Sequence, residues 1–157
     1  MNHFLPTAAT AVSLFIFCCS ASGARIAYAA SDELSPVGVW SSEGDDSHIE
    51  IEKCGIHLCG SIVWLKDPLG PDGKDAIDSN NPDPALRKRR LVGLPLLSAF
   101  EQSSTDPAQW TDGRIYDPDD GRTYSCKITV VDRNSLRLRG YFGISLFGKN
   151  QIWTRVK

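Results

Sequence analysis

The chain lacks an excess of charge of either sign: 17 Lys and Arg stand against 19 Asp and Glu, a net of −2 in 157 residues. Without a basic surplus nothing draws it to nucleic acid or to an anionic membrane surface, and no nucleic-acid partner is expected. It also lacks a stretch with a convincing 3.6-residue apolar stripe, which excludes helical bundles and coiled coils. A nucleophile elbow, a zinc-protease helix, a phosphate loop and a dinucleotide motif are all missing, so no cofactor and no metal are implied. The hydrophobic share of 41% excludes disorder and suits one soluble domain.

The longest apolar run, Leu5 to Cys19, is too short for the ~20 residues of a spanning helix and leads to Ala27-Tyr28-Ala29. An apolar core followed by an A-x-A cleavage pattern reads as a secretory signal peptide over 1–29, cut after Ala29. The expected mature domain is 30–157, exported, with no transmembrane anchor after cleavage. Cleavage removes Cys18 and Cys19 and leaves Cys54, Cys59 and Cys126. In an oxidising compartment Cys54 and Cys59, on either side of Gly55-Ile56-His57-Leu58, are expected to form a disulfide. A metal held with His57 is disfavoured, because one loop offers three candidate ligands at most. Cys126 alternates with core positions and is expected to be a buried thiol.

What the mature chain does have is a period of 2, the signature of an all-β domain. Strands are expected at Pro36–Trp40, His48–Lys53, Leu58–Leu65, Leu91–Phe100, Trp110–Tyr116, Arg122–Val131, Leu136–Phe142 and about Phe147–Val156. Leu58–Leu65 is apolar at alternate and intervening positions alike, so it reads as a strand buried on both faces. Asp117-Pro118-Asp119-Asp120-Gly121 marks a hairpin. Eight strands with short joints close most naturally into an antiparallel up-and-down barrel, with a two-sheet sandwich as the competitor. Such a barrel is either filled by side chains or holds one small ligand.

One joint is long. Lys66 to Arg90 is dense in Pro, Gly, Asp and Asn, and loops of that length are often functional. Within it Asp83 and Pro84 suit the N-cap and first position of a short helical turn through Ala85 and Leu86. Asp78, Asn80, Asn81, Asp83 and Arg87 crowd this loop. They are candidates for ligand binding or, with Asp78, Asp83 and Arg87 together, for an enzyme site. The competing account is that they cap turns while Arg87 pairs with Asp83. Arg87-Lys88-Arg89-Arg90, the one basic run, suits either phosphate recognition on an envelope component or a solvated loop. Arg114 is expected to pair with Asp112 or Asp117. His48 and His57 have no nucleophile near them in sequence.

Gly38-x-Trp40 with Arg155 resembles the lipocalin signature, in which a first-strand Trp closes the barrel floor beneath a late Arg. A longer series covers nearly the whole mature chain: Leu58-Cys59-Gly60-x-Ile62-Val63, Asp78-x-Asn80-Asn81-Pro82-Asp83-Pro84-x-Leu86-Arg87, Gly93-Leu94, Trp110-x-x-Gly113-Arg114-Ile115-Tyr116-Asp117-Pro118, Asp120-Gly121-x-Thr123-Tyr124, Leu136-x-Leu138-Arg139-Gly140 and Trp153-x-Arg155-Val156. In order and spacing it resembles the exported bacterial family of a domain of unknown function, DUF2147. The resemblance implies a signal peptide and one lipocalin-like barrel in the envelope of a Gram-negative bacterium, and no established activity. The reading that follows is a periplasmic, non-enzymatic binder of a small apolar or amphipathic ligand, with Trp64 and Trp110 at the cavity wall and the long loop as lid. The alternative is a filled barrel that serves as an interaction module for an envelope protein or glycan.

Overall fold

The computed structural model describes residues 34–156. The expected signal peptide, its cleavage site and Cys18 and Cys19 lie outside the described residues. Eight antiparallel strands follow one another around a closed barrel: β1 (Gly38–Ser41), β2 (Ser47–Cys54), β3 (His57–Leu65), β4 (Pro95–Gln102), β5 (Gln109–Asp117), β6 (Arg122–Asp132), β7 (Ser135–Tyr141) and β8 (Lys149–Arg155). Sequence neighbours pair throughout, and β1 returns to β8 through Trp40 opposite Arg155 and Ser41 opposite Thr154. The barrel is the expected up-and-down form, and the sandwich is excluded by the closure. No helix of the described residues is long and apolar enough to cross a membrane.

Period-2 alternation sends one side chain in two to the interior. On β6, Cys126, Ile128 and Val130 are buried, and on β7, Leu136 and Leu138. One end is packed solid by Trp40, Leu58, Phe100, Trp110, Val130 and Leu136. The Phe100 ring lies against Gly113, where any Cβ would collide with it, so a glycine on β5 lets an aromatic from β4 cross the interior. Beneath this floor Arg155 covers the Trp40 ring, as the lipocalin signature implies, with its guanidinium carbon 4.1 Å from the ring centroid.

Two local expectations change. β4 begins at Pro95, because Leu91–Leu94 is spent on a turn in which Leu94 N–H donates to Leu91 O and Gly93 takes a positive φ of 90°. The segment after Asp83 forms successive turns: Asp83 Oδ1 accepts from Ala85 N–H and its carbonyl from Leu86 N–H. The cap is therefore as expected, but the 3-10 turn Ser145–Phe147 is the single helical element of the described residues. The Cys54–Cys59 disulfide is present, with its Cα atoms 5.8 Å apart across the Gly55-Ile56 hairpin. Cys126 is a buried free thiol whose pKa burial pushes up to about 12.

Candidate functional site: a cavity in the upper half of the barrel

Above the floor the interior side chains become small. Cys126 on β6 faces Gly113 on β5 and Gly140 on β7 in the register, and a Cβ at Gly140 would touch only Ile115. The Phe100 ring covers Gly113, whereas Cys126 and Gly140 border a cavity of about 660 Å³, walled also by Ile49, Ile62, Ile115, Leu138 and Trp153. The barrel is thus neither filled throughout nor hollow throughout. Ile49, Cys126, Leu138 and Trp153 belong both to the core and to the cavity wall, so the barrel has features of both the hollow and the filled alternatives.

In an up-and-down barrel every second connection emerges at the same end. The open end therefore carries 42–46, 66–94, 118–121 and 142–148. The first and third of these lie half a turn of the barrel apart, and both are acidic at the mouth: Glu43 and Asp46 on one side, Asp117 and Asp119 on the other. The remaining two bring apolar groups to the mouth, Leu91 and Phe142. Phe142 lines the cavity and is still 85% exposed, with Ile144 and Leu146 exposed beside it. Lys149 and Gln151 on β8 add polar atoms on the way down to Trp153.

Trp64 and Trp110, the expected wall residues, do not line this cavity. A bulge between His48 and Ile49 in the pairing of β2 with β3 places Trp64 opposite His48 on the outer surface, where the rings stack 4.3 Å apart. Trp64 is 40% exposed and Val63 is similar, so β3 is not buried on both faces. Trp110 belongs to the floor, and its indole N–H is buried with no acceptor.

Asp78, Asn81, Asp83 and Arg87 are brought together around Asn81, which donates to Asp78 Oδ2, accepts from Asp83 N–H at its side-chain oxygen and from Arg87 Nε at its carbonyl, and none of the four lines the cavity. Asp78 is fully buried and accepts hydrogen bonds from Tyr116 Oη (2.6 Å), Asn81 Nδ2 (2.8 Å) and Arg89 Nε (2.9 Å). Burial raises its pKa, but these three donors and the Arg89 charge outweigh it and hold the carboxyl below its ordinary value. Tyr116 moves the other way: burial first, then the adjacent carboxylate, raise its hydroxyl pKa. Asp83 is exposed and caps Ala85, while Arg87 Nε donates to Asn81 O. The expected Arg87–Asp83 pair is therefore replaced by Arg89–Asp78, with Asp78 buried and Asp83 exposed. Asn80 completes the anchor by donating to the carbonyls of Pro118 and Asp119. The long loop is thereby fastened to the β5–β6 hairpin. Of its residues only Leu91 lines the cavity, so it borders the mouth and is not a lid.

The basic run is largely spoken for: Arg90 pairs with Asp75 at 3.0 Å, and Arg87 and Arg89 are the anchors just described. Arg114 donates to Ser125 Oγ and Gly113 O and reaches neither expected acid. Ile115, Tyr124 and Leu138 are family-series positions that also line the cavity, and Gln151 is a lining residue that the sequence reading does not name, although alternation puts Lys149, Gln151 and Trp153 on one face of β8.

Comparison with known proteins agrees with this architecture. The family described as "Uncharacterized protein conserved in bacteria (DUF2147)" matches residues 38–155. A solved structure, described as protein HP1028 from the human pathogen Helicobacter pylori and as belonging to the lipocalin family, aligns with a TM-score of 0.66 at 21% identity. The alignment covers 78% of this chain and 84% of that one, and establishes a shared fold. No curated protein matches the chain.

Proposed function

The chain belongs to the DUF2147 family, and on that footing we propose that it is an exported, non-enzymatic barrel that binds a small apolar or amphipathic ligand in the cavity at its open end. The observation that carries this reading is the cavity itself. Its volume of about 660 Å³ falls within the ~300–1,000 Å³ of small-molecule sites, and its wall combines Ile49, Ile62, Ile115, Leu138 and Trp153 with polar groups such as Asp46, Asp119 and Lys149. Apolar wall and charged mouth together suit a molecule with one greasy and one hydrated end. Export to the periplasm is supported by Leu5–Cys19, by Ala27-Tyr28-Ala29 and by the Cys54–Cys59 disulfide, a bond that persists in oxidising compartments. The interaction-module reading finds less support, because the long loop and its arginines are engaged in anchoring.

The test is native mass spectrometry of the full chain expressed with its own N-terminus and recovered from the periplasmic fraction. The expected result is a protein beginning at Ala30 that carries a small molecule released on denaturation, or that takes up added octyl glucoside in a one-to-one complex. A protein that stays in the cytoplasm with Met1 in place would overturn the export reading. One that carries nothing and takes up no octyl glucoside would overturn the binding reading.

A further inference from the structure

We infer that Gln151 is the specificity-determining residue of this cavity, and that the ligand carries a hydrogen-bond acceptor, such as a ketone, ester or amide oxygen, within its apolar body. This inference rests on the binding reading above and names the class of ligand.

The argument is one of donors and acceptors. An indole N–H can only donate, and Trp153 Nε1 donates to Gln151 Oε1 at 3.1 Å. That bond fixes which way the Gln151 amide faces, because its nitrogen cannot serve the indole. The amide nitrogen, with two N–H groups, has no protein acceptor among the described residues, and Gln151 lines the cavity. Its register partner on β7 is Leu138, and the other lining residues toward the floor are Ile49 and Ile62. Of the other donors in the wall, Tyr116 Oη is committed to Asp78 and Tyr124 Oη to Asp120, while Lys149 and Tyr141 stand nearer the mouth than Gln151. Gln151 is half-buried, and it therefore offers the wall a neutral donor whose direction is fixed by Trp153 and which has no protein acceptor among the described residues. A saturated hydrocarbon would leave it unanswered, and an acceptor oxygen at its level would satisfy it.

A matched pair of neutral probes tests this: methyl hexyl ketone and the chloride of the same carbon skeleton, which has similar shape and a poor acceptor. Their dissociation constants are measured by tryptophan emission on the wild type, on Gln151→Leu and on Gln151→Glu. The glutamate keeps an acceptor for Trp153 and removes the donor, so it carries the test should the leucine variant not fold. The preference of the wild type for the ketone is expected to fall about three- to tenfold in each variant, the size of one net hydrogen bond. Binding of both probes with a preference that changes less than about twofold overturns the role of Gln151 and leaves the cavity reading standing. Binding of neither probe to the wild type removes the cavity reading and this inference together.

Discussion

The guanidinium of Arg155 lies 4.1 Å over the Trp40 ring while its nitrogens donate to the carbonyls of Arg133, Val37 and Ser35. One side chain thus covers the floor aromatic and ties β8 to the segment that enters β1. The planar fork makes this possible, and a lysine cannot reproduce it. Arg155→Lys is expected to lower stability by about 1–3 kcal/mol despite keeping its charge. Trp40→Ala, which empties the floor, is expected to cost about 3–5 kcal/mol. Urea unfolding of the two variants checks both the values and their order.

The Asp78 anchor predicts a pH dependence. Its folded pKa lies below the ordinary 3.8, so the unfolded chain takes up the proton first on acidification. Its contribution is complete above 3.8 and is lost as pH falls from there through the lower folded value. Asp78→Asn is expected to cost about 1–3 kcal/mol at neutral pH, since it leaves Arg89 without its carboxylate. The gap from wild type should narrow below 3.8, measured as midpoints of thermal unfolding at a series of pH values.

Two glycines of equal φ separate backbone strain from crowding. Gly121 (φ 70°) sits where a Cβ would collide with the Asn80 carbonyl, whereas Gly73 (φ 74°) has nothing within 4 Å. Gly73→Ala should cost about 1 kcal/mol from its conformation alone. Gly121→Ala should cost more and also release the long loop from the β5–β6 hairpin. Hydrogen exchange read at Asp78 and Asn81 is the measurement, and unchanged protection there would count against the anchor.

The three cysteines of the expected mature chain should be told apart by reagents. Cys126 is buried with its pKa raised to about 12, so an alkylating agent at pH 8 should spare the native protein and label one thiol after denaturation. Intact mass should show two hydrogens fewer than the reduced chain. Loss of the short-loop disulfide in Cys54→Ser with Cys59→Ser should cost about 2 kcal/mol.

Much of the barrel was legible because its information is local. Alternation, turn residues and the Cys54 to Cys59 spacing each act within a few positions, and Trp40 with Arg155 was readable through a known signature. What escaped depends on distance or on one extra residue. The bulge at His48 and Ile49 moves Trp64 to the outer surface, and no residue type announces it. Arg87 was the nearer partner by sequence for Asp83, yet the turns after Asp83 carry Arg89 to Asp78 instead. A cavity was expected but its lining was not, because Cys126 and Gly140 become neighbours only through the β6–β7 register, where each position alone reads as ordinary core.

The closure of β1 on β8 also orders events during synthesis. β8 is the last of the eight strands to leave the ribosome, and until it does β1 and β7 are open edges available to any other strand. Gln151 and Trp153 travel on that final strand. A nascent chain therefore has neither a cylinder nor a finished pocket, and the same step that seals its edges creates the place where a ligand can bind.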